Sequence, residues 1–166
     1  MTAAEMMKWA VTAVFVGVLL IAAVVDIAQR RIPNWTVIAL IVTYVVAVLL
    51  RVSPSVWYCG LAAAAITFVV TYGLYHFGVI GAGDAKLMSA AALFAGLQGL
   101  GLFALVTVLV GGGMAVAVIM LNPRRAMRGL TAAGRAEGSG RGIPYGVAIA
   151  SGAVISQAVS GGLGAF

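Results

Sequence analysis

Asp26 closes a run from Trp9 to Val25 that carries no charge, and Asp84 lies in Gly81-Ala82-Gly83-Asp84-Ala85-Lys86 between two further apolar segments. They are two of only four acidic residues in a chain that is 63% hydrophobic. An ionisable side chain at membrane depth costs roughly 2.5–3.5 kcal/mol on insertion scales, which marks each as a candidate functional residue. Two carboxylates brought to one water cannot both ionise readily, because like charges at close range hold one of them protonated. Such a pair titrates as a unit. Its ionised member can take a proton from water as the water attacks a carbonyl carbon, while the protonated member donates to the carbonyl oxygen. That is the minimum equipment for hydrolysing a peptide bond, and the sequence leaves open which aspartate starts as the base.

Each aspartate also has a purely structural reading. Asp26 stands one helical turn before Arg30 and could pair with it at the membrane surface. Asp84 could cap the helix that follows Gly83, a role compatible with catalysis. Gly81 and Gly83 are expected to free the backbone around Ala82 and to leave room for an extended substrate strand. Non-helical backbone at that depth is tolerated only where protein buries it or where it lines a wet cavity. The other chemistries lack parts. His76 is the only histidine and Cys59 the only cysteine, so neither a metal site nor a disulfide framework is expected. Ser89 and Ser151 stand in helical contexts without a nucleophile elbow.

The elements that must position these residues are membrane helices. A mean hydropathy of +1.14 with 8% charged residues excludes an ordinary soluble domain, whose charged fraction is about 25%. The pattern predicts one all-α, polytopic domain over residues 1–166 with six spans, at about 9–28, 35–50, 56–80, 85–97, 100–121 and 143–160. The first run is read as a retained span and not a cleaved signal. Turn signals at Arg30-Arg31-Ile32-Pro33-Asn34, Arg51-Val52-Ser53-Pro54, Gly78 to Gly83, Gln98-Gly99 and Asn122-Pro123 separate the spans. The signal at Gln98-Gly99 is the thinnest, since Ala85 to Leu121 also reads as one kinked span.

Loop charge sets the orientation. Arg30, Arg31, Lys86, Arg124, Arg125, Arg128, Arg135 and Arg141 fall in the first, third and fifth connections, against Lys8 and Arg51 on the other side. This bias puts both termini outside and both aspartates toward the cytoplasm, with the Gly81–Asp84 loop at the cytoplasmic end of the fourth helix. The net charge of +6 is therefore not a nucleic-acid signal. The basic stretch 122–142 is expected to be a mobile cytoplasmic loop that touches anionic lipid head groups. Small residues such as Ala62 to Ala65, Gly111-Gly112-Gly113, Gly146, Ala150 and Gly152 are read as sites of close helix packing.

Asp26 followed by Arg31-Ile32-Pro33-Asn34-Trp35, then Gly81-Ala82-Gly83-Asp84-Ala85-Lys86-Leu87 and a late Ile143-Pro144-Tyr145-Gly146, resembles the type IV prepilin peptidases, a family of GxGD aspartyl proteases. The resemblance implies that Asp26 and Asp84 are the catalytic dyad, with no cofactor. It implies pilin-like precursors as substrates, whose short basic leader is cut at the cytoplasmic face of the bacterial inner membrane. Gly81, Gly83, Lys86, Pro33, Asn34, Pro144 and Tyr145 match family positions. Gly81 and Gly83 would shape the loop, Lys86 would tune Asp84 or snorkel to the interface, and Asn34 would cap the second helix. Pro144 would start the sixth helix and Tyr145 would line the cavity. With Cys59 alone, the paired Cys-x-x-Cys motifs of the bifunctional, N-methylating members are missing, so methyltransferase activity is not expected. The compact form resembles the peptidases that serve Flp (tight-adherence) pili.

Two other classes compete. A proton- or cation-coupled transporter also uses intramembrane acids, but would place them at mid-span within paired broken helices. A non-enzymatic scaffold of a pilus or secretion machine gives no reason to keep two acids at the edge of apolar runs.

Overall fold

The computed structural model describes residues 2–52, 56–121 and 145–159. Among these, five helices follow one another and no strand forms: α1 (Ala3–Gln29), α2 (Asn34–Leu49), α3 (Trp57–His76), α4 (Ala82–Leu121) and α5 (Tyr145–Val159). The expected basic loop 122–142 and Pro144 lie outside the described residues. Helices α1, α3 and α4 are long and apolar enough to cross a membrane, and α2 and α5 are shorter apolar helices. Their outer surfaces carry residues such as Val24, Val69 and Val108, each mostly exposed. Hydroxyls inside the helices are satisfied locally: Thr43, Thr67, Thr71, Thr107 and Ser89 donate to carbonyls one turn back. A solvent that offers no hydrogen bonds requires this.

The helix ends are chemically defined. Thr2 and Glu5 form a reciprocal capping box at the start of α1. Helix α3 stops at His76 because Gly78 takes a left-handed turn (φ 71°). The Gly78 N–H then bonds the Tyr75 carbonyl, and the Val79 N–H bonds that of Leu74. This double closure absorbs the last free carbonyls, so the third helix ends before the Ile80 that hydropathy alone favoured. Helix α2 ends on the same pattern with Arg51 at φ 56°, and Val52 folds back into the core.

Helix α4 breaks at Gly96, whose φ of 60° and ψ of −178° belong to a region open essentially to glycine alone. The two arms pair with α5 in opposite senses. In arm 82–95, the Phe94 carbonyl accepts from the Gln157 side chain, while Asp84 lies near Asp26, which in turn meets Gly146. In arm 97–121, Ser156 bonds the Gly99 carbonyl, Gly152 faces Thr107, and Gly111 lies beside Tyr145. One arm therefore runs parallel to α5 and the other antiparallel: the chain reverses at Gly96. The sequence placed this turn at Gln98-Gly99, where a polar residue sits beside a glycine. The backbone uses the earlier glycine.

Phe94, just before the reversal, anchors the bundle. Its ring packs on Phe15 of α1 at 4.2 Å between centroids and meets Tyr44 of α2 edge-on at 5.4 Å. Gly60 of α3 leaves room for the Tyr44 hydroxyl and the Leu93 carbonyl.

Candidate active site

Asp26 occupies the last turn of α1 and is buried, with 5% of its surface exposed. The helix ends just beyond it, where Arg30 turns left-handed (φ 52°) and returns its N–H to the Asp26 carbonyl at 2.8 Å. The connection to α2 then crosses the head of α4: a Cβ on Gly83 would come within 3.2 Å of Ile32. A glycine at 83 thus brings the turn after Asp26 down onto the turn that carries Asp84.

Asp84 sits in the first turn of α4 and is half-buried. Its Oδ2 accepts the Gly81 N–H at 3.2 Å. It therefore caps the helix from the third helical position, reaching back to the residue before the helix, which is half of a capping box. The expected loop is accordingly shorter than the sequence implied, since Ala82 and Gly83 are already helical. Neither Gly81 nor Gly83 takes a left-handed φ. These glycines serve space and not backbone freedom: a Cβ on Gly81 would stand 3.0 Å from Asp84 Oδ2.

Helix α5 supplies the third wall. The Gly146 N–H donates to Asp26 Oδ2 at 2.7 Å in a buried contact. The two carboxyls are near enough for the charge of Asp26 to act on Asp84, and Arg30 acts on Asp26 in turn. Aspartates 58 positions apart in sequence, on different helices, are thus brought into one electrostatic unit.

The remaining candidates fall around this centre unevenly. Lys86 points to the exposed face of α4. Asn34 is exposed and is the first helical residue of α2, so it does not cap that helix. Pro33 precedes the helix, and the Thr36 hydroxyl bonds its carbonyl. Tyr145 opens α5 with its ring against Gly111. His76 is exposed and meets Phe77 edge-on. Among the described residues, no group of three or more His, Cys, Asp or Glu side chains is placed to hold a metal ion. The sequence marks Gly146 as a packing glycine and as part of a family block, without a role for its amide. Its place in the Ile143-Pro144-Tyr145-Gly146 block was the available sign of more.

The arrangement offers paired acids, each accepting from a backbone amide, at one end of an apolar bundle. No curated protein sequence and no solved structure matches the chain. The profile of the type IV leader peptidase family matches residues 13–116, a stretch that includes both aspartates and the Gly81–Lys86 segment. This match covers more than half of the chain, so the protein belongs to the type IV leader peptidase family.

Proposed function

We propose that this membrane protease is an aspartyl endopeptidase that uses Asp26 and Asp84 to remove the short basic leader from Flp-like type IV prepilins at the cytoplasmic face. Family membership supplies the peptidase and the precursor class. The observation that carries the dyad is geometric: the turn after Asp26 packs on Gly83 beside the carboxyl of Asp84, and α5 holds Asp26 through the Gly146 amide.

In the reaction, the ionised aspartate removes a proton from water while the water oxygen bonds to the scissile carbonyl carbon. The protonated aspartate gives its proton to the carbonyl oxygen, forming a gem-diol. The C–N bond then breaks. The proton first taken from water goes to the leaving amine, and a gem-diol hydroxyl returns a proton to the other carboxylate. The chain ends with the same dyad, one carboxyl protonated, ready for the next turnover.

The proposed topology has six spans and both termini outside. The reversal at Gly96 supports counting the arms of α4 as two crossings. Arg30, Arg31 and Lys86 gather at the carboxyl end of the bundle, while Arg51 marks the opposite end, as a positive-inside arrangement requires. Exposed Trp35 near the carboxyls and Trp57 and Tyr58 at the far end fit two interfacial belts.

The test is cleavage of a Flp-type prepilin by purified protein in detergent, followed by its mobility shift. Asp26→Asn and Asp84→Asn keep shape and remove the titrating group, so each should abolish cleavage while the fold persists. Cleavage at the parental rate by either variant would overturn the dyad.

A further inference from the structure

Gly146 is the second residue of α5, and its N–H is a first-turn amide with no carbonyl of its own helix to bond. It is spent on Asp26. We propose that Gly146 is the positioning residue that makes Asp26 the ionised, water-activating member of the pair, leaving Asp84 to carry the proton. The inference rests on the aspartyl-peptidase reading of the same site and assigns roles within it.

Three features gather positive charge on Asp26. The Gly146 amide lies at 2.7 Å in buried surroundings, where a bond to a charged acceptor is strong. That amide belongs to a helix N-terminus, whose partial positive charge favours an anion. Arg30, one turn further along α1, acts on the same carboxyl. Asp84 is served less well. It too heads a helix, but its backbone donor is 3.2 Å away and exposed, and the charge acting on it is that of Asp26.

The other elements packed against α1 bring little. Helices α2 and α5 carry no charged side chain, only Tyr44 and Tyr145 as titratable groups, and α4 adds Lys86 near Asp84. Burial works against charge on both carboxyls, and on Asp26 so does its place in the last turn of α1; what opposes this on Asp26 is the Gly146 amide, with Arg30 and then Arg31 following in the turn beyond.

Glycine makes this approach easy, and any larger residue would have to push the carboxylate back by a few tenths of an ångström. A Cβ at position 146 would stand 3.0 Å from both the Asp26 Cβ and Oδ2.

The test replaces the amide preceding Gly146 by an ester in the full chain, which deletes the N–H and adds no atom, and compares it with Gly146→Ala and Asp26→Asn. For the ester variant, KM for prepilin should hold and kcat should fall about tenfold. The acidic limb of its pH–rate profile should move about one unit toward neutral, because the group that must be ionised has lost a charge-assisted donor. Gly146→Ala should show at least the same loss. If it does not fold, the ester variant decides alone. Parental kcat in the ester variant, or a lower kcat with an unmoved acidic limb, overturns the assignment. If Asp26→Asn is inactive in that case, the peptidase reading stands without Gly146. If Asp26→Asn cleaves normally, both readings fall together.

Discussion

The side-chain amide of Gln157 donates to the carbonyl of Phe94, immediately ahead of the break at Gly96. A helix that stops in an apolar interior leaves carbonyls without partners, and α5 repairs one of them with Gln157. Ser156 adds a bond to the Gly99 carbonyl in the first turn of the following arm, where the carbonyls are not the orphaned groups. Gln157→Leu keeps the bulk and removes the donor. Interhelical hydrogen bonds in membrane proteins average about 0.6 kcal/mol, but an orphaned buried carbonyl costs about 1–3 kcal/mol. The expected loss is therefore about 1–2 kcal/mol, read as an earlier thermal unfolding transition in detergent, with Ser156→Ala losing less. An unchanged transition in Gln157→Leu would mean that the broken helix needs no repair.

Gly96→Ala tests the reversal itself. The φ of 60° with extended ψ is paid for by any residue with a Cβ, at about 1–3 kcal/mol. The arm 82–95 is held at this point and carries Asp84 at its other end, so cleavage should fall along with stability. Gly101→Ala is the control, since nothing lies within 4 Å of its Cβ and the helix there is regular. It should be neutral or stabilise by up to about 1 kcal/mol. Equal effects at 96 and 101 would remove the special status of the break.

The residues that meet at this end of the bundle are largely legible in the sequence. Asp26 and Asp84 stood out because acids are costly beside long apolar runs, and Gly81 and Gly83 because they flank one of them. The structure keeps all four residues at one place, drops the conformational reason for the glycines and gives the space they leave to the Asp84 carboxyl and to Ile32. Gly146 was harder to see, because a backbone amide leaves no trace in composition and small residues are common wherever helices touch. The turn at Gly96 was misplaced for a related reason: between Ala95 and Leu97 it carries no polar neighbour to advertise it. Asn34 was read as a cap from its residue type, whereas the helix begins on it and leaves it exposed.

Gly152 sits where α5 crosses the second arm of α4. A Cβ there would overlap the Thr107 hydroxyl and come within 2.9 Å of the Phe103 carbonyl oxygen. The hydroxyl can rotate away, but the carbonyl belongs to helix backbone and cannot. Gly152→Ala should therefore cost about 1–3 kcal/mol, the usual price of overpacking. Thr107→Ala added to it should recover only part of that loss, as measured by thermal unfolding of the single and double variants. Complete recovery would show that the side chain, and not the backbone contact, sets the helix spacing. Gly112→Ala, with open space around its Cβ, should leave the transition in place.

The six-span topology can be read from three engineered thiols in a Cys59→Ser background. Arg51 follows α2, Arg31 follows α1, and Gln98 lies just past the reversal with its side chain exposed. If α4 crosses twice, its turn shares a membrane face with Arg51 and lies opposite Arg31. In sealed spheroplasts, a membrane-impermeant maleimide should then label Arg51→Cys and Gln98→Cys, and should reach Arg31→Cys only after permeabilisation. A thiol at 98 that labels with 31 would put the tip of the hairpin on the cytoplasmic side. A thiol at 98 that stays silent even after permeabilisation would make the hairpin re-entrant, ending short of the far surface. Either result would remove the six-span count, while the coupling of Asp26 to Asp84, which depends only on the end of the bundle where α1, α4 and α5 meet, would be untouched.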